Sequence, residues 1–84
     1  MFTFKIHRAE GVAQEDFENA VSCAKECIQS TLDSYAPVVS ITDDTIVIQA
    51  TNLTARECKD LIVGCFLDAN GSVYPEFRRV EPQL

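Results

Sequence analysis

The chain has no apolar run approaching the roughly 20 residues that a membrane-spanning helix requires. Its first residues, MFTFKIHR, contain neither a long apolar region nor a small-residue cleavage site. The expectation is a soluble, unexported, cytoplasmic protein. Positive charge is scarce: 7 Lys and Arg stand against 13 Asp and Glu, a net charge of -6. Nucleic-acid binding draws on a basic footprint that displaces counterions, and this balance argues against direct binding. An acidic surface instead favours solubility and steers the molecule toward basic partners, including proteins that themselves bind nucleic acid. No internal repeat, low-complexity segment or linker is visible, and 84 residues make one domain with a single two-layer core.

Recognisable catalytic and metal-binding patterns are also lacking. The single histidine, His7, has no cysteine or serine partner suggested by a motif, so it reads as a surface residue. No pair of carboxylates has a spacing that suits a general acid and base, and Asp43-Asp44 is explained by a turn. Cys23, Cys27, Cys58 and Cys65 could supply four thiolates, but their spacings differ from those of zinc ribbons and fingers. At about 100° per residue, Cys58 and Cys65 share a helical stripe with Leu61, Ile62 and Ala69, and free cysteine packs as a small hydrophobe. The expectation is buried, reduced thiols with no metal, no cofactor and no catalytic residue.

Present, by contrast, is a strong alternation of apolar residues. The stretch Val38 to Ala50, VVSIT-DD-TIVIQA, places two runs rich in Val, Ile and Thr around an acidic pair, which is a hairpin signal. With Asp43 and Asp44 as the loop, Thr42 pairs with Thr45, Ile41 with Ile46 and Val39 with Ile48. Phe2, Phe4 and Ile6 alternate with Thr3, Lys5 and His7 as in a strand with one buried face. After a loop around Gly11, Phe17, Ala20, Val21, Ala24, Ile28, Leu32 and Tyr35 recur at spacings of three and four, which predicts a helix over about Gln14 to Ser34. Thr54-Ala-Arg-Glu57 has the form of a capping box, so a second helix should begin there and run to about Ala69, ending at Asn70-Gly71. Val73 to Val80 reads as a last strand, with Pro75 favouring an edge position, and Glu81 to Leu84 as a short tail.

Strand, helix, strand, strand, helix, strand is the order of a ferredoxin-like βαββαβ two-layer sandwich. It would have a four-stranded antiparallel sheet, two helices on one face, and strands one and three central. The other face should expose Thr3, Lys5, His7, Val38, Ser40, Thr45, Val47 and Gln49, a small and mostly uncharged surface. None of these is the aromatic that RNA-binding sheets of this type stack on bases. A copper chaperone would need Cys-x-x-Cys after strand one, where this chain has Ala-Glu-Gly-Val-Ala-Gln. The acylphosphatase family implies a phosphate-cradling loop with arginine at that place, but Gly11 to Phe17 offers Glu15 and Asp16 instead.

Two features go beyond packing. Leu61-Ile-Val-Gly-Cys-Phe-Leu67 is apolar nearly all round, so with Leu61, Ile62 and Cys65 in the core, Val63 and Leu67 should point outward with Phe66 at the boundary, a strip suited to a partner. Glu10, Glu15, Asp16 and Glu18 cluster at the start of the first helix, Asp43 and Asp44 add a second acidic tip, and Lys5, Arg8, Arg78 and Arg79 lie on strands one and four.

Phe17 to Gln49, a helix with an acidic start followed by the TDDTIVIQ hairpin, resembles the small inhibitors encoded by phages and mobile elements, including the anti-CRISPR proteins. The resemblance is one of size, charge and architecture. It implies stoichiometric binding to a CRISPR effector or another larger basic nucleic-acid-binding protein in a host cytoplasm, by mimicry of DNA charge. Glu15, Asp16, Glu18, Asp43 and Asp44 are the contact candidates, with Val63, Phe66 and Leu67 as the apolar alternative. A second reading is a dimeric regulatory or assembly module, similar to ACT domains, that self-associates through strand edges or the helix-two strip.

Overall fold

The computed structural model describes residues 1–82. In chain order the elements are β1 (Phe2–Arg8), α1 (Gln14–Thr31), β2 (Val38–Thr42), β3 (Thr45–Gln49), α2 (Ala55–Ile62) and β4 (Phe77–Glu81). Two 3-10 turns, Asp33–Tyr35 and Val63–Phe66, follow the helices. The sheet order is β2-β3-β1-β4 with antiparallel neighbours throughout. This is the ferredoxin-like sandwich, with β1 and β3 central.

Alternation sets the register. Val39 lies opposite Ile48, Ile41 opposite Ile46 and Thr42 opposite Thr45. Asp43 takes φ 54, a left-handed conformation that Asp tolerates better than most residues, and so lets two residues reverse the chain. In β1, Phe4 and Ile6 point into the core while Thr3 and Lys5 stay exposed.

The buried set is wholly apolar apart from thiols. It draws Phe4 and Ile6 from β1, Ile46 and Ile48 from β3, and Phe17, Val21, Ala24 and Ile28 from α1. Phe66 ties the halves together, its ring centroid 6.3 Å from Phe4 and 6.4 Å from Phe77. Phe77 also meets Phe17 and Tyr74 edge-on, at 6.0 and 5.7 Å. Such pairs contribute about 0.5–1.5 kcal/mol each beyond the area they bury.

Three boundaries differ from the periodic reading. α1 stops at Thr31, and the apolar stripe continues through Leu32 into the turn Asp33–Tyr35. Ala36, at φ 49, is the left-handed residue that ends this turn, and Pro37 follows it. α2 has its capping box, with Glu57 N–H donating to Thr54 Oγ1 (3.2 Å) and Thr54 N–H to Glu57 Oε1 (3.3 Å), but it ends at Ile62 rather than near Ala69. Asp68 closes the loop beyond it, accepting from Asn70 N–H at 2.8 Å and Ser72 N–H at 3.2 Å, and Gly71 supplies φ 80. β4 begins at Phe77; Val73 makes only an isolated bridge to Leu67, and Pro75 lies in the turn before the strand. Glu81 belongs to β4, and Gln83 and Leu84, expected in the tail, lie outside the described residues.

The open sheet face is also more charged than expected. Lys5 lies opposite Glu81 and His7 opposite Arg79. Arg79 Nη2 is 2.9 Å from Glu81 Oε1, and His7 Nε2 is 3.1 Å from the same oxygen without the alignment of a hydrogen bond. β4 therefore adds ions to an edge that β1 and β3 alone leave nearly neutral.

Candidate protein-binding surfaces

Topology brings the two acidic stretches to one end. β1 and β2 are both antiparallel to β3, so they run parallel, and the turn leaving β2 sits at the end where β1 exits and α1 begins. Glu18, Asp43 and Asp44 accordingly line one shallow cleft with Arg8, Gln14 and Phe17, about 410 Å³ in volume. Glu18 and Asp43 also border the adjoining hollow with Ser22 and Ile41. The Ile6 N–H donates to Asp44 O at 2.8 Å and fixes the hairpin tip against β1.

Side-chain contacts order this end. Arg8 Nη1 donates to Gln14 Oε1 (3.0 Å) and Gln14 Nε2 donates to Glu18 Oε1 (3.2 Å). The relay holds Glu18 toward the hairpin. Arg8 makes no ion pair among the described residues, so the carboxylates of Glu18, Asp43 and Asp44 remain available to an outside cation.

The five acidic candidates do not form one patch. At about 100° per residue, Glu15 shares a flank of α1 with Glu18, whereas Asp16 lies on the far flank. Asp16 borders a different cleft, of about 640 Å³, with Gly11, Asn19, Cys23, Tyr74 and Glu76. Helical periodicity alone predicts this split.

The apolar strip needs a larger correction. Phe66 is fully buried and belongs to the core, so it is not part of an exposed surface. Cys58, Ile62 and Phe66 are spaced by four and form the buried row, while Leu61, expected inside, is 40% exposed. Centring the stripe on Ile62 rather than between Leu61 and Cys65 would have placed the bulky ring correctly. Val63 and Leu67 are half-buried and border a groove of about 530 Å³ with Val73, Arg78 and Arg79.

The cysteines divide likewise. Cys58 and Cys65 are buried as expected, but Cys23 and Cys27 are exposed, because they fall beside the Phe17–Val21–Ala24–Ile28 stripe. Burial raises the Cys58 thiol pKa and pushes that of Cys65 up to about 12, where contact with the Cys27 thiol adds to the rise and a hydrogen bond with Thr31 opposes it. No cluster of three or more His, Cys, Asp or Glu suited to a metal ion occurs among the described residues. No helix among them is long and apolar enough to cross a membrane. Comparison with protein-family models, curated proteins and solved structures finds no match to the chain.

Proposed function

We propose that the protein is a non-catalytic inhibitor that docks its acidic end onto a larger basic protein or ribonucleoprotein complex and blocks the surface used for nucleic acid. The observation that carries this reading is the meeting of Glu18, Asp43 and Asp44 around one cleft, at the end of a molecule of net charge -6. Three carboxylates on a rigid helix-and-hairpin frame present negative charge that focuses the field toward cationic side chains. Arg8 lines the same cleft and Lys5 lies opposite Thr45 beside the hairpin tip, so a partner would have to match basic groups next to the carboxylates, which favours orientation and register. In its sharper form, the proposal makes the target a CRISPR effector and the protein a phage-encoded anti-CRISPR inhibitor acting as a DNA mimic in the host cytoplasm.

The test is affinity capture with the tagged full chain from host lysate at low and raised salt, followed by binding measurements on the captured target. The reading expects a basic nucleic-acid-binding complex that is lost as salt rises. The Glu18→Lys, Asp43→Lys, Asp44→Lys triple variant should weaken its binding by roughly 10-fold or more. Unchanged affinity in a folded triple variant would sink the proposal.

A second reading has its own observation. β2 is an edge strand without charged side chains, and Val38 on it is 61% exposed, so it offers an unpaired ladder to another copy. An ACT-like regulatory dimer built this way would persist at high salt in sedimentation, whereas the acidic inhibitor requires no self-association.

A further inference from the structure

Packing of α1 against the turn Val63–Phe66 brings two thiols to one hydroxyl. Cys27 lies one helical turn before Thr31, and its Sγ is 3.9 Å from Thr31 Oγ1. The Sγ of Cys65 is 3.6 Å from the same oxygen, although 34 positions separate Thr31 from Cys65. The Cys27 thiol is also close enough to Cys65 to help raise its pKa. Cys27 is an exposed residue, whereas Cys65 is 3% exposed. Cys23 borders the cleft beside Tyr74, outside this contact.

We propose that Cys27 and Cys65 form an oxidation site, joined as a disulfide when the protein meets hydrogen peroxide and tethering α1 to the Val63–Phe66 turn. Cys27 reacts first because it is the exposed residue of the two. Its thiolate attacks one peroxide oxygen, the O–O bond breaks, and hydroxide leaves as Cys27 becomes a sulfenic acid. Cys65 then gives its proton to solvent base and attacks the Cys27 sulfur, releasing a second hydroxide, which is protonated to water. Two thiols and one peroxide thus yield one disulfide and two waters. The raised pKa of Cys65 lowers its thiolate fraction, which acts to slow this second step.

The pairing is selective for geometric reasons. A disulfide needs Cα atoms within about 7 Å and side chains that converge, and Thr31 already holds both sulfurs on one side of α1. The site is independent of any partner at the acidic end.

The sequence provides a clean readout. Trypsin cleavage after Arg8, Lys25, Arg56, Lys59 and Arg78 places Cys27 on peptide 26–56, Cys65 on 60–78, Cys23 on 9–25 and Cys58 on 57–59. The full chain is treated with hydrogen peroxide, free thiols are blocked with N-ethylmaleimide, and the protein is digested without reductant. The expected product is peptide 26–56 linked to 60–78, with an intact mass lower by about 2 Da before blocking. The link should disappear in Cys27→Ser, an exposed and structurally mild change, and survive in Cys23→Ser. Blocked thiols on both peptides, a link involving 9–25 or 57–59, a link between two chains, or Cys27 carried to sulfinic acid with Cys65 still free would each overturn the proposal.

Discussion

The two βαβ halves of the sandwich solve the same packing problem with different helices. α1 has 18 residues and no side-chain cap at Ala13; it is held by a continuous buried row from Phe17 to Ile28. α2 has 8 residues, a complete capping box and two buried positions, Cys58 and Ile62. A long amphipathic stripe removes enough apolar surface from water to dispense with terminal hydrogen bonds. A two-turn helix lacks that area. It depends on its first turn and on the aromatic ring that follows it, since Phe66 carries the second half's apolar bulk after the helix has ended.

The contrast between the helices is most exposed to attack at Phe66. Phe66→Ala should cost about 3–5 kcal/mol in urea unfolding, because it empties the site between Phe4 and Phe77. A loss below about 1 kcal/mol would show that the 3-10 turn does not anchor the second half. Alkaline pH addresses the same half, which holds both buried thiols. Their folded pKa values lie above the ordinary thiol value of 9.0, so the stability they contribute is present below about pH 9 and is lost above it, for Cys65 as pH rises toward 12. One raised group contributes a slope of at most about 1.4 kcal/mol per pH unit. Unfolding of Cys65→Ala followed across that window should show a shallower decline than the unsubstituted chain. The smallest effect is at the caps: Thr54→Ala should lose about 1 kcal/mol. Ala13→Ser, which supplies the missing oxygen to α1, should raise the thermal midpoint, and equal responses at the two positions would erase the distinction between the helices.

These differences also explain what could be read in advance. Element order, hairpin register and central strands follow from alternation in Phe2–Ile6 and Val38–Gln49, where each apolar residue has one available side. The capping box at Thr54 was equally legible because its donors and acceptors are local. The end of α2 was not, since an apolar run such as Leu61–Leu67 has no polar face to fix its rotation, and the ring of Phe66 is drawn inward by Phe4 and Phe77 from distant strands. Among the acidic candidates, charge marked the residues, and only the parallel course of β1 and β2 joined Glu18 to the hairpin tip. The Cys27–Thr31–Cys65 contact had no local signal at all, because it exists only once α1 rests on the turn after α2.

The uncharged edge of β2 has a consequence for the protein as a colloid. Val38–Thr42 presents open ladder positions that a neighbour could extend into a growing ribbon, and nothing within the strand itself opposes this. Long-range repulsion between molecules of net charge -6 supplies the missing barrier near neutral pH. Toward the isoelectric point, about 4.5, that repulsion vanishes while the edge is unchanged. The acidity of the chain thus sets the acidic limit of the protein's solubility.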